Sequence, residues 1–188
     1  MRFFKKVVGI NGSPRIGGNT DILLDNVLEG AKDRGAAAEK IILSTFKFSP
    51  CRECENIKGD GTCIIEDDMR IIYRKIEEAD AVILASPIFF GSLSAQTKMM
   101  VDRFQCRWKA KKGIGRKKRA GAFIYVEGSM REDFFDNAKA IVKNLFAVIG
   151  LDYKEELFCQ GLNEKGSVLK HPEFLKKAFE LGQRMASG

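Results

Sequence analysis

The sequence predicts an α/β fold in which a five-stranded parallel sheet is covered by helices on both faces. Three observations predict it. Apolar runs of strand length alternate with stretches of helical period along the 188 residues. The composition, 45% hydrophobic and 30% charged, suits one ordinary domain with a sizeable core. The first apolar run, Val7–Ile10, passes straight into Gly12-Ser13-Pro14-Arg15-Ile16-Gly17-Gly18-Asn19-Thr20, a glycine- and hydroxyl-rich loop that opens a helix.

The elements follow in order. The first strand is expected over Phe3–Ile10, and the first helix over Ile22–Arg34, with Leu24, Val27, Leu28 and Ala31 on one face and Gly35 ending it. A second strand covers Glu39–Leu43. A second helix, Asp67–Ala79, sets Met69, Ile72, Tyr73 and Ile76 on one face, with Asp67 and Asp68 at its positive end. Ala81–Ser86 is the third strand, and Ala95–Trp108 a helix carrying Met100, Phe104 and Trp108. Ala120–Val126 is the fourth strand. A helix over Phe134–Ile149 carries Phe134, Ala138, Ile141, Val142 and Leu145, with Gly150 after it. Asp152–Cys159 is the fifth strand. The last helix, Pro172–Ala186, starts on a proline that its first turn tolerates. No second domain, internal repeat or low-complexity linker is read from the chain, so residues 1–188 are expected to form one domain.

No apolar run approaches the roughly 20 residues of a membrane helix, and the start Met1–Lys6 lacks the apolar segment of a signal peptide. Five cysteines do not read as a disulfide framework. A reducing cytoplasm is the expected location. The net charge of +7 is uneven: Arg107, Lys109, Lys111, Lys112, Arg116, Lys117, Lys118 and Arg119 fall within 107–119 with no acid, and the rest of the chain carries about −1. That run reads as a solvated loop, or as a landing patch for an anionic substrate such as a nucleotide phosphate. Only Trp108 adds an aromatic, so nucleic acid is disfavoured.

In open parallel sheets ligands bind beyond the carboxyl ends of the strands, where strand order reverses. That rule points to loops 11–20, 86–94 and 127–132. In the first, helix N–H groups, Ser13, Asn19 and Thr20, with the charge of Arg15, make an anion site. It is not a phosphate-binding Gly-Lys-Ser/Thr loop, and its glycines do not fit the dinucleotide fingerprint. A single terminal phosphate, as on FMN, suits it; a plain turn with a capped helix is the bland alternative. In the second, Ser86-Pro87-Ile88-Phe89-Phe90-Gly91-Ser92, proline stiffens the turn and Gly91 allows close approach. A planar tricyclic ring fits there, although an aromatic plug in the core reads equally well. The third, Glu127-Gly128-Ser129-Met130-Arg131, is a weak signal taken alone.

Gly12-Ser13-Pro14-Arg15, Gly18-Asn19-Thr20, Ser86 to Gly91, Ser94-Ala95-Gln96 with Lys98, and Asp102-Arg103 together resemble the NADPH-dependent FMN reductases of flavodoxin-like fold. The likeness is nearest the iron–sulfur flavoprotein branch, which also has a cysteine cluster before a pair like Asp67-Asp68-Met69. The resemblance implies a three-layer sandwich with strand order 2-1-3-4-5. It implies FMN in the switch-point crevice, with Ser13, Arg15, Asn19 and Thr20 on the phosphate. Pro87, Ile88, Phe89, Phe90 and Gly91 would line the isoalloxazine, and Glu127, Gly128 and Ser129 would close the other side. The family usually has Tyr where this chain has Phe89. Members are dimers or dimer pairs, so a homodimer or homotetramer is expected.

Cys51-Arg52-Glu53-Cys54 precedes Cys63, and the family's third cysteine position holds Ile57. Three thiolates fall one short of a cubane cluster, so the loop is expected to hold no metal. The other readings are a cluster with Asp60 or Glu55 as substitute ligand, a zinc ion, or a redox pair of Cys51 and Cys54. Cys106 and Cys159 read as packing residues. His171, the one histidine, reads as a surface or cap residue, so no residue is assigned a catalytic role. The function expected from the resemblance is electron transfer from NAD(P)H through bound FMN to a small acceptor such as a quinone or flavin. The alternative is an iron–sulfur flavoprotein-type electron carrier fed by a ferredoxin-like partner. A third reading is a non-catalytic FMN-binding module.

Overall fold

The computed structural model describes residues 5–54, 59–110, 119–130 and 135–187. Strands β1 (Lys6–Asn11), β2 (Ala37–Ile42), β3 (Ala81–Phe89), β5 (Arg119–Val126) and β6 (Leu151–Cys159) pair in parallel in the order β2-β1-β3-β5-β6. This is the expected 2-1-3-4-5 order. The addition is β4 (Ser92–Leu93), which folds back antiparallel on the end of β3, pairing Phe89 with Ser92. Strand β3 therefore runs past Ser86, through Pro87, to Phe89.

Side chains alternate across the sheet, and each face feeds its own core. On one face Val7, Ile83, Ala85 and Ile124 meet α1 (Asn19–Asp33) and α6 (Pro172–Ser187). On the other Val8, Ile10, Val82, Leu84 and Phe123 meet α2 (Met69–Glu78), α3 (Ala95–Asp102), α4 (Gln105–Lys109) and α5 (Asp136–Val148). Helices α1 and α6 touch backbone to backbone. A Cβ on Gly182 would lie 1.9 Å from Val27 O, and one on Gly30 would lie 2.0 Å from Phe179 O. Glycine at both positions lets the helices cross this closely.

The helix expected over Ala95–Trp108 is two helices, broken at Arg103 and Phe104. Helical period alone does not reveal this break. The Arg103 guanidinium is fully buried and anchored: Nη1 donates to Ser49 O (2.9 Å) and to Asp67 Oδ2 (2.6 Å). Asp67 also accepts from Met69 N, so the Asp-Asp-Met motif ties the start of α2 to the turn after α3. Burial alone would raise the Asp67 pKa, but the hydrogen bonds from Arg103 and two backbone N–H groups hold it below the ordinary value.

The basic run corrects in part. Arg107 pairs with Glu77. Arg119 is buried at the start of β5, where Nη1 donates to Ile76 O (2.6 Å) and Ala79 O (3.1 Å) and Nη2 donates to Ile149 O (2.5 Å). It closes the carboxyl ends of α2 and α5, which favour a cation, and is no part of a solvated loop. Lys109 lies 3.6 Å from Glu53 Oε1, and residues 111–118, which carry the other five charges, lie outside the described residues. Among the described residues no helix is long and apolar enough to cross a membrane.

Candidate functional site

A cleft of about 290 Å³ opens at the carboxyl ends of β1, β3 and β5, where strand order reverses between β1 and β3. Eleven of the twelve expected site residues line it: Ser13, Arg15, Asn19, Thr20, Pro87, Ile88, Phe89, Phe90, Glu127, Gly128 and Ser129. Gly91 stands beside it, in the turn between β3 and β4.

The loop after β1 is rigid because its polar groups hold one another. Asn11 Nδ2 donates to Asp21 Oδ1 (2.8 Å), while Asn11 Oδ1 accepts from Ser13 N (2.8 Å). Asp21 Oδ2 accepts from Gly17 N (2.8 Å), and Lys40 balances the buried carboxylate at 2.9 Å. Ser13 Oγ accepts from Arg15 N (3.1 Å), which leaves its O–H to point elsewhere. The start of α1 has no side-chain cap, so its first N–H groups face the cleft region unsatisfied by the helix. Thr20 is buried on the cleft wall, and its hydroxyl makes no hydrogen bond among the described residues.

Asn19 differs from expectation. Its amide Nδ2 donates to Leu162 O (3.1 Å), Glu164 O (2.8 Å) and Ser167 Oγ (3.2 Å), and its Oδ1 accepts from Val168 N (3.1 Å). The side chain is fully used in holding the segment after β6 against the start of α1. That segment brings Leu162, Asn163 and Lys165 into the cleft. The sequence reading did not place them at the site, because nothing local shows that the segment after the last strand returns to the start of α1. Lys165 and Arg15 have no carboxylate partner among the described residues, so two cations flank the uncapped helix start.

Behind the cleft Ser94 Oγ donates to Gly12 O (2.5 Å) and lies 2.8 Å from Thr97 Oγ1. A Cβ on Gly12 would lie 1.8 Å from Thr97 Oγ1. The Ser94 motif thus locks the loop after β1 to the loop after β3. Phe90 and Gly91 are the two loop residues of the β3–β4 hairpin, both with positive φ (51° and 72°). Glu127 is buried on the facing wall; its N–H donates to Cys159 O (2.9 Å) and its carbonyl accepts from Leu162 N (3.1 Å).

Cys51, Cys54, Cys63 and Cys106 lie around a separate space of about 20 Å³. Cys51 Sγ accepts from Glu53 N (3.4 Å), and Cys63 Sγ lies 3.3 Å from Arg103 Nη2. Asp60 accepts from Thr62 N within its own turn. Among the described residues no three His, Cys, Asp or Glu side chains gather as a metal site. Glu55 and Ile57 lie outside the described residues. Burial raises the Cys106 thiol above its ordinary value and pushes Cys159 up to about 12, so both are neutral packing groups. His171 is a surface residue 3.1 Å from Glu173 Oε1.

Comparison with known proteins agrees with this geometry. The chain is 45% identical over 98 residues to an iron–sulfur flavoprotein of Methanocaldococcus jannaschii, covering 52% of this chain and 51% of that one. It is 36% identical over 124 residues to an iron–sulfur flavoprotein of Methanosarcina thermophila, covering 66% and 64%. The matches thus span about half to two thirds of those relatives' lengths. An NAD(P)H:quinone oxidoreductase structure from Methanothermobacter marburgensis superposes with a TM-score of 0.72 at 18% identity, over 97% of this chain and 100% of that one, which shows the shared flavodoxin-like fold. Residues 5–145 match the NADPH-dependent FMN reductase family, and the chain belongs to that family.

Proposed function

We propose that the cleft binds FMN and that the protein passes electrons from NAD(P)H to a small acceptor such as a quinone or flavin. The observation that carries the reading is the uncapped start of α1, with the buried Thr20 hydroxyl beside it and Arg15 and Lys165 at its flanks. That donor set fits a phosphate monoester: N–H groups and hydroxyls for its oxygens, and two cations for its charge. The apolar end of the cleft, Pro87, Ile88 and Phe89, suits a flat ring.

FMN would supply the reversible two-electron chemistry. The chain's own residues bind and orient. Ser13 and Thr20 donate hydroxyls to the phosphate, and Arg15 and Lys165 neutralise it. The Asn19 side chain is not a phosphate donor; it holds the 162–168 segment in place. Pro87 and Ile88 present the end of β3 to one side of the ring, and the Glu127–Ser129 turn closes the other side against water. The identities to iron–sulfur flavoproteins support the second reading, an electron carrier fed by a ferredoxin-like partner.

Steady-state turnover of the FMN-loaded protein separates the two. Oxidation of NADPH or NADH by a quinone at several turnovers per second or more supports the oxidoreductase. Absence of turnover with both nicotinamides, alongside rapid reduction by a reduced ferredoxin, overturns it for the carrier.

A further inference from the structure

Asp21 is a carboxylate placed where it works against an anion site. It lies in the first turn of α1, the helix whose start lines the cleft, and is only 4% exposed. In a capping box the side chain at this position reaches back to the residue just before the helix. Asp21 reaches one residue further: Oδ2 accepts from Gly17 N (2.8 Å), where φ is +70°. Its Oδ1 accepts from Asn11 Nδ2 (2.8 Å), and Asn11 in turn holds Ser13 N. Asp21 therefore shapes the loop from both ends. The same carboxylate cancels part of the positive field of the helix start and repels an anion placed there.

Lys40 removes this conflict without lining the cleft. It lies on β2, opposite Gly9 of β1 in the sheet, and reaches across to α1. Its Nζ is 2.9 Å from Asp21 Oδ1 and 2.6 Å from Asp25 Oδ1. The two arms differ. Asp25 is half-exposed, so water and salt screen that pair. Asp21 is buried, and its charge is screened mainly by Lys40. Burial alone would lower the Lys40 pKa, but the hydrogen bonds and charges of Asp25 and Asp21 hold it above the ordinary value, so the balancing charge is permanent.

We propose that Lys40 is a positioning residue for the flavin phosphate: it neutralises Asp21, so that Asp21 can hold the loop in shape without repelling the ligand. The inference rests on the FMN reading of the cleft and deepens it, since a residue outside the cleft then sets the preference for a phosphorylated flavin. A merely structural tie between β2 and α1 would affect every flavin alike. Charge balance affects only the ligand that carries the phosphate.

The test titrates the apoproteins of wild type, Lys40→Gln, Lys40→Met, Lys40→Arg and Asp25→Asn with FMN and with riboflavin, following flavin fluorescence. Thermal unfolding of each apoprotein is recorded first. Lys40→Gln keeps a donor for the Asp21 carboxylate but not the charge, and it carries the test if Lys40→Met does not fold. Both neutral variants should bind FMN about tenfold more weakly than wild type and riboflavin within about twofold of it. Lys40→Arg should restore the wild-type preference for FMN. Asp25→Asn should keep it, because that carboxylate is exposed and lies a turn further along the helix. An unchanged FMN-to-riboflavin preference in Lys40→Gln overturns the proposal. So does an equal loss for both flavins, which would make Lys40 a structural tie only. A loss of preference in Asp25→Asn as large as in Lys40→Gln also overturns it. Wild type that binds the two flavins equally sinks the phosphate reading and this inference together; a wild-type preference that survives in Lys40→Gln sinks this inference alone.

Discussion

Replacing Asn19 with Ala separates two roles that look alike in the sequence. If the amide were a phosphate donor, its loss would weaken FMN binding and leave the apoprotein as stable as before. In the structure its four hydrogen bonds all go to residues 162–168: three from Nδ2, one to Oδ1. The side chain is buried, so none of the four is cheaply replaced by water. At about 0.5–1.5 kcal/mol net for each bond, and with freed carbonyls able to recover some hydration, the loss is about 3 kcal/mol. For a chain of this size that lowers the melting temperature by about 6–12 °C. Asn19→Asp should be worse, because a carboxylate would face the carbonyls of Leu162 and Glu164 where an N–H₂ now donates. Thermal unfolding of the apoproteins without flavin reads this directly. An Asn19→Ala apoprotein that melts within a degree of wild type refutes the reasoning and returns Asn19 to the phosphate.

Other consequences follow from named contacts. Gly182→Ala should destabilise by about 2–3 kcal/mol in urea unfolding, since its Cβ would sit 1.9 Å from Val27 O and force α1 from α6. The Arg15→Gln, Lys165→Gln double variant should bind FMN at least tenfold more weakly and riboflavin unchanged, measured by fluorescence titration. Asp67 is held below its unfolded value of 3.8, so its contribution to stability is present above that pH and lost as pH falls below it. Asp67→Asn should lack this acid-limb loss in unfolding measured against pH. It should also cost about 3–5 kcal/mol at neutral pH, because it leaves the buried Arg103 guanidinium unpaired.

The succession of strands and helices and the crevice were legible because period, turn residues and the alternation of elements are local properties of the chain; the strand order came from the family resemblance. The residues lining the cleft were legible for the same reason: the loops after β1, β3 and β5 carry unusual residues, and the sheet brings strand ends together. What local pattern does not carry is long-range pairing. The break at Arg103 depends on Asp67 and Ser49, which lie far away in sequence. Arg119 read as one more cation in a basic run, and only the carbonyl ends of α2 and α5 reveal its role. Asn19 was placed correctly at the helix start, but its partners come from residues 162–168. Lys165 was not placed at the cleft, because only the Asn19 contacts bring its segment to the start of α1. The two-residue hairpin at Phe90-Gly91 hides behind its first residue, since Phe is not what a turn with two positive φ angles selects.

The central claim is that the loop at Ser13–Thr20, with Lys165, holds the phosphate of a flavin mononucleotide. Titration of the apoprotein with FMN and with riboflavin, following the quenching of flavin fluorescence, tests it most directly, because the two ligands differ only in that phosphate. The account predicts one FMN per chain, bound at least about 100-fold more tightly than riboflavin, with the difference shrinking in Arg15→Gln and Lys165→Gln. Equal affinity for the two flavins, or no binding of either, would contradict it.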